Sequence, residues 1–334
     1  MANSPARVRI ALDVMGGDYA PREILRGAID AAHTLPVDLV LTGPRALVEC
    51  ELAELGAQGA STIPSFEIVD APEVIEYHEN PALVRDRRGA SIRVICDLVR
   101  DGRASACVTM GHTGAAVIAS VLTFGRIGKV QRPAVAVPYF GLQPQTVLVD
   151  AGAIVDCKPE QLVQFARMGS IYVEKVLRVE RPTVALMANG HEENKGNELT
   201  RAAFALLRQT DLNFIGNVEG YDLPRGTANV IVMDGFLGNI ALKLSEGLSE
   251  ELLARLSRRF AGAGLAETVA PVLDDFHAVM DYARIGAMPV LGVNGLLLIG
   301  HGRSRAGAVV GAIQTAIRAV ESGLLNALQQ GLAA

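Results

Sequence analysis

The sequence has no tryptophan and only 4% aromatic residues, although half of its residues are hydrophobic. The core must therefore be filled by Ala, Val, Ile and Leu, the mix found where helices cover parallel strands. Cysteine is scarce: Cys50, Cys96, Cys107 and Cys157 are far apart and form no CxxC pair. That spacing argues against a disulfide or zinc framework and predicts core thiols in a reducing compartment. Basic blocks are missing too, with 31 Lys+Arg against 36 Asp+Glu for a net charge of −5. No nucleic-acid partner is expected, because phosphate neutralisation needs a basic face.

Long apolar runs are also lacking. Mean hydropathy is +0.28, and the stretch from Ala104 to Gly125 carries no Asp, Glu, Lys or Arg. Its interior reads TMGHTG, which breaks it into strand, turn and helix rather than a span of ~20 apolar residues. The first residues show no apolar core of a secretory signal and enter a strand almost at once, so a cytoplasmic protein is expected. Catalytic signatures are absent as well. No GxSxG occurs, and no GxxxxGK[ST] or GxGxxG follows a strand, which speaks against an elbow-type serine hydrolase, a P-loop enzyme and an ordinary dinucleotide fold.

What is present is a repeated alternation. Short apolar runs at Val8–Val14, Asp38–Leu41, Phe66–Val69, Cys107–Met110, Ala134–Val137, Val147–Val149, Val184–Met187, Phe214–Ile215 and Val230–Met233 predict strands. Helical spacing lies between several of them, as in Pro21–Ala32, Arg45–Leu55, Ile92–Val99, Gly114–Thr123, Glu160–Val176 and Glu198–Leu207. Repeated strand–helix units predict a three-layer αβα architecture with a mainly parallel sheet. From Phe236 to Phe260 one long helical pattern runs without a strand after it, predicting a projecting helical lobe over residues 240–283. The last helix is expected from Gly307 to Leu328. With 334 residues, no internal repeat and no proline-rich linker, a single α/β domain spanning 1–334 is expected.

Ligands of open α/β sheets bind beyond the carboxyl ends of strands, so the turns after each strand are the candidate chemistry. Asp13 to Pro21 contains Gly16 and Gly17, either an anion seat or a tight turn in which Asp18 caps a helix. Gly111-His112-Thr113-Gly114 stands directly before a helix and suits phosphate, or is a cap with a satisfied His112. The segment Asp150 to Pro159 favours structure, with Pro159 suited to begin a helix. Asn189 to Glu198 crowds polar groups around Lys195, which would attract an anion at a helix start; Lys195 also stands where a zinc HExxH motif would need His. Met233 to Asn239 offers Asp234 and Asn239 between glycines. Arg85, Arg87 and Arg88 could grip a phosphate or form an exposed basic face, and His301 to Ser304 is a further anion-friendly cap.

In this order DVMGGDYAP, GHTGA, GRI, RPA, VDAGAIVDCKPEQLVQFARMGSIY, EENKGNEL, FIGNVEG, DGFLGN, LGVNG and GHGRS resemble the phosphate acyltransferase (PlsX) family of bacterial phospholipid synthesis, from about residue 8 to 320. The resemblance implies a fold similar to isocitrate and isopropylmalate dehydrogenases. It implies transfer of an acyl group from acyl-acyl carrier protein to inorganic phosphate, giving acyl phosphate for a membrane-bound glycerol-phosphate acyltransferase. It also implies a homodimer with peripheral membrane contact, and neither metal nor nicotinamide. The family usually has Asn where His112 stands and Thr where Leu237 stands.

Thioester transfer to phosphate needs charge management more than a nucleophilic side chain. Lys195 is therefore expected to neutralise phosphate or the oxyanion, Asn197 and Asn239 to donate hydrogen bonds, and Asp234 to orient a neighbour. Gly16, Gly17, Gly111, His112, Thr113 and Gly114 are expected to hold phosphate. The alternatives are a metal-dependent hydroxyacid dehydrogenase, for which Asp274 and Asp275 are the late acidic pair, and a non-catalytic membrane-associated scaffold. In the lobe, Leu252, Leu253, Leu256 and Phe260 share a helix face beside Arg255, Arg258 and Arg259, fit for a dimer seam or a membrane surface.

Overall fold

The computed structural model describes residues 7–59, 62–139, 143, 145–280 and 286–333. In chain order the elements are β1 (Val8–Asp13), α1 (Arg22–Thr34), β2 (Val37–Gly43), α2 (Arg45–Ala57), β3 (Glu67–Asp70), α3 (Ser91–Arg100), β4 (Ala106–Thr109), α4 (Thr113–Phe124), β5 (Ala134–Pro138), β6 (Val147–Val149), α5 (Pro159–Val176), β7 (Thr183–Met187), α6 (Glu198–Leu207), β8 (Asn213–Val218), β9 (Val230–Val232), α7 (Gly235–Gly262), α8 (Ala266–Met280), β10 (Ala287–Leu291), β11 (Leu297–Gly300), α9 (Ala306–Glu321) and α10 (Leu324–Gly331). The expected α/β class is present, with mostly parallel strands and flanking helices.

The chain divides into two compact units, Met1–Pro133 with Ile285–Ala334, and Ala134–Arg284. No change of composition marks these boundaries. They arise because the last stretch returns to the first unit: β11 pairs parallel with β4, and α9 packs on α1.

In the first unit the strand order is β3-β2-β1-β4-β11-β10, parallel except for β10 against β11. Ile10 faces Leu39 on one side and Ala106 on the other. Every residue of β4 is buried, the pattern of a strand covered on both faces. Helix α1 packs on α9, while α3 packs on α4. The antiparallel pair β10 and β11 is not among the strands the sequence predicts; the GVNG segment lies at the reversal between them. The expected single last helix is broken as well. Gly323 takes a left-handed conformation (φ +67°), and α9 and α10 bend by 54°.

In the second unit the order is β5-β6-β9-β7-β8, parallel except for β5 against β6. Leu148, Ala185, Met187, Val218, Leu223, Ile231 and Met233 form its buried cluster, each large side chain contributing ~1.5–3 kcal/mol on burial. Helix α5 begins at Pro159, and the Gln161 side chain accepts from the Lys158 N–H ahead of it at 2.9 Å. Helices α7 and α8 pack on each other and occupy most of the expected lobe; residues 281–283 lie outside the described residues. No single described helix is long and apolar enough to cross a membrane.

Candidate functional sites

At the carboxyl edge of the first unit, the turns after β1, β4 and β11 meet. Asp13, buried at the end of β1, accepts from the Thr109 hydroxyl at 2.8 Å and from the Met15 N–H at 3.0 Å. Burial pushes its carboxyl above the usual carboxylate range against these bonds. The turn that follows lies directly on the β4 turn. A methyl group on Gly16 would sit 2.6 Å from the Gly111 nitrogen and 2.8 Å from Thr109 Oγ1, so this approach requires glycine. The Asp18 N–H donates to the Gly302 carbonyl at 2.8 Å, bringing the GHGRS turn alongside. The Tyr77 hydroxyl donates to the Met110 carbonyl at 2.9 Å, and its ring stacks on His112.

Two expectations need correction, the first in the β1–α1 turn and the second in the β4–α4 turn. Asp18 does not cap α1, which starts after Pro21 with no side-chain cap. Nor are all the turn's amides open to phosphate. The Gly111 N–H donates to Thr109 Oγ1 at 2.9 Å, and the Gly114 N–H to His112 Nδ1 at 3.1 Å. His112 is thus the N-cap of α4. The amides left to an anion are those of His112 and Thr113, at the first turn where a helix has no acceptor of its own.

Arg87 is taken as well. It grips Glu79 through both terminal nitrogens at 2.8 and 2.7 Å and donates to the Val74 carbonyl. Arg85 and Arg88 are exposed.

In the second unit, four parallel strands deliver their turns to one edge. After β6, buried Asp150 accepts from the Val135, Gly152, Ala153 and Ile154 N–H groups at 2.7–3.2 Å. Burial still pushes its carboxyl upward. The N-terminal turn of α7 lies on this loop: a methyl group on Gly238 would collide with the Asp150 carbonyl. Gly235 and Gly238 therefore serve close packing, while Asn239 comes beside Gly152. Asp234 caps α7, accepting from the Leu237 N–H at 2.9 Å, so its expected orienting role is toward its own helix.

After β7 the Asn189–Asn197 turn closes on itself. Asn189 Oδ1 accepts from the Gly196 N–H at 2.8 Å, and the Lys195 N–H donates to the Glu192 carbonyl at 3.0 Å. The exposed Lys195 runs its stem over Gly190, where a methyl group would lie 2.6 Å from its Cγ. Asn197 Oδ1 accepts from the Thr200 N–H at 2.9 Å and caps α6; its amide nitrogen is the group that can serve as donor. The turn is held from the next strand by Asn217, whose Nδ2 donates to the Glu192 carbonyl at 2.9 Å. His191 reaches Asp222 in the short 3-10 helix Gly220–Arg225 after β8, Nε2 to Oδ2, at 2.8 Å. Asn217, Asp222 and Tyr77 are contributors that the sequence motifs do not single out; Asn217 lies within FIGNVEG, with nothing in the spacing to mark it.

Cys157 stands half-buried near Asp150, its thiol pushed up to about 12 by burial and by the Asp150 charge. Asp274 and Asp275 are exposed on α8, and no group of three or more His, Cys, Asp or Glu suited to a metal occurs among the described residues.

Residues 8–327 match the family described as fatty acid synthesis protein. The phosphate acyltransferase of Pelotomaculum thermopropionicum is 44% identical over 330 residues, covering 97% of this chain and 95% of that protein. That of Desulforamulus reducens is 44% identical over 329 residues, covering 97% of each. Among solved structures, a phosphotransacetylase from Streptococcus pyogenes aligns with a TM-score of 0.62 at 15% identity, covering 95% of this chain and 94% of that one. A 4-hydroxythreonine-4-phosphate dehydrogenase from Klebsiella pneumoniae aligns at 0.56 and 14%, covering 94% and 99%. These two likenesses show the fold. The chain belongs to the phosphate acyltransferase (PlsX) family. It is an acyltransferase, and acyl transfer to phosphate is the family's reaction.

Proposed function

We propose that the chain transfers a fatty acyl group from acyl-acyl carrier protein to inorganic phosphate, giving an acyl phosphate that a membrane-bound glycerol-phosphate acyltransferase consumes in phospholipid synthesis. A phosphate oxygen attacks the thioester carbon, the carbon–sulfur bond breaks, and the carrier leaves as a thiolate that takes up a proton. Phosphate is already anionic at neutral pH, so no serine, cysteine or histidine nucleophile is needed. The task is to bring an anion to a carbonyl that is itself becoming negative. Well-placed donors contribute ~3–4 kcal/mol each to such a step.

The observation that carries this reading is the β4–α4 turn. It leaves the His112 and Thr113 amides at a helix N-terminus while neighbouring side chains occupy those of Gly111 and Gly114. That arrangement supports phosphate binding there, with the Thr113 hydroxyl as a further donor. Lys195 is assigned the role of neutralising charge on phosphate or the oxyanion, with the Asn197 and Asn239 amides as donors.

We further read α7 as the homodimer seam, in contact with the membrane surface from the cytoplasmic side. Phe236, Ile240, Leu244, Leu248, Leu252 and Leu256 are exposed at four-residue intervals, forming an apolar ridge that winds gradually around the helix. Incubating the protein with long-chain acyl carrier protein and phosphate, then trapping with hydroxylamine, tests the acyl transfer. Acyl hydroxamate that requires both substrates is the expected product, and its absence would favour a non-catalytic scaffold.

A further inference from the structure

The Asn189–Asn197 turn is held to its own unit by a handful of side-chain bonds: Asn217 to the Glu192 carbonyl, the exposed ion pair of Arg208 Nη1 with Glu193 Oε1 at 2.6 Å, Arg201 to the Gly196 carbonyl, and a bond from His191, whose imidazole changes charge closest to neutral pH. His191 Nε2 lies 2.8 Å from Asp222 Oδ2. Its Nδ1 lies 3.5 Å from the Tyr221 hydroxyl and 3.7 Å from Glu219 Oε2. Asp222 is anchored independently of the histidine: its Oδ2 accepts from the Glu219 N–H at 2.9 Å, and Arg225 Nη1 stands 3.7 Å from its Oδ1. The Asp222 side chain is 7% exposed and that of His191 51%. A buried, fixed carboxylate thus receives an imidazole that belongs to the turn carrying Lys195. The other tie to the neighbouring strand, from Asn217 to the Glu192 carbonyl, carries no charge.

We propose that His191 is a positioning residue for acyl transfer: paired with Asp222, it tethers the Asn189–Asn197 turn to the start of the Gly220–Arg225 helix and thereby fixes where Lys195 stands. This rests on the reading of Lys195 given above. The tether is pH-dependent. The charged and titratable groups facing the imidazole are Asp222, Glu219 and Glu192, with Tyr221 at its edge and Arg225 beyond Asp222. The hydrogen bond to Asp222, then the charges of Asp222, Glu219 and Glu192, hold the His191 imidazolium above its usual range. Burial works against ionisation of Asp222, but the Glu219 N–H and His191 hold it below the ordinary carboxylate range. The ion pair is therefore complete below the ordinary histidine pKa of ~6.5 and weakens as pH rises through the elevated value. Above it a neutral imidazole keeps at most an ordinary hydrogen bond, and the turn loosens.

The test compares wild-type protein with His191→Ala and His191→Gln. Protection factors of amides 189–197 are followed by hydrogen exchange at about pH 6 and about pH 8.5, and kcat and KM by hydroxamate trapping. Wild-type protein is expected to lose protection in this turn at the higher pH, and His191→Ala to lack it at both. His191→Gln, which keeps a neutral donor toward Asp222, restores a protection that does not vary with pH. His191→Ala lowers kcat about tenfold; where Lys195 serves the oxyanion, KM for phosphate stays within about twofold of wild type, and where it serves phosphate, that KM rises as well. Wild-type protection and a wild-type pH profile in His191→Ala would overturn the proposal. If the wild-type protein makes no acyl hydroxamate, the acyl-transfer reading fails; the exchange pattern still decides whether His191 holds the turn.

Discussion

The Thr109 hydroxyl donates to Oδ2 of buried Asp13 at 2.8 Å and accepts from the Gly111 N–H at 2.9 Å, tying the ends of β1 and β4 to the turn beyond them. Thr109→Val keeps the shape but leaves a buried carboxylate oxygen and an amide without this partner. The expected cost is about 1–3 kcal/mol, seen as a lower unfolding midpoint and weaker phosphate saturation. Thr109→Ser should restore both. A Thr109→Val protein as stable and active as wild type would remove this bond from the account.

Arg87 holds Glu79 rather than phosphate. Its hydrogen bonds, with that of the Glu76 N–H, bring the Glu79 carboxyl down to about 2. Lowered in the folded state, this group favours folding above its ordinary value of 4.5, and the contribution is lost as pH falls through about 2. In Arg87→Ala the Glu79 resonance should titrate close to the ordinary value, while KM for phosphate stays unchanged. A large rise in that KM would return Arg87 to the phosphate site.

Cys157 is expected to be inert. A thiol held at about 12 by burial and by Asp150 supplies almost no thiolate at neutral pH. Alkylation by iodoacetamide at about pH 8 should be far slower than that of exposed Cys50, and Cys157→Ser should keep most of the wild-type turnover. An acyl group recovered on Cys157 would contradict direct attack by phosphate.

In the lobe, Leu252 and Leu253 separate two effects. Leu253 is buried and Leu252 is half exposed, so Leu253→Glu forces a charge into packed surroundings, whereas Leu252→Glu changes only the outward ridge. Leu252→Glu should yield a folded monomer by sedimentation or lose liposome flotation. A folded Leu252→Glu protein with wild-type assembly and flotation would argue that neither process uses this ridge.

Much of this architecture was legible in the sequence because buried parallel strands leave continuous apolar runs. Val8–Val14 and Val147–Val149 were visible for that reason, and the turns after them could be located. What each turn residue does was less legible. Asp234 and Asn197 were expected near the chemistry, but their carboxylate and amide oxygens cap α7 and α6, a local role with the same spacing. Gly114 was expected to offer its amide, yet His112, two residues back, accepts from it. Asp222 went unnoticed because its partner His191 is 31 residues away, a pairing that only the adjacency of β7 and β8 creates. Gly323 ended α9 where composition alone read one continuous helix.

Steady-state acyl hydroxamate formation by Lys195→Ala, with long-chain acyl carrier protein and phosphate, bears most directly on the claim that a preplaced cation carries the reaction. Loss of one such interaction is expected to lower kcat more than tenfold, with circular dichroism and unfolding midpoint unchanged because Lys195 is exposed. A folded Lys195→Ala protein with wild-type turnover would contradict the account.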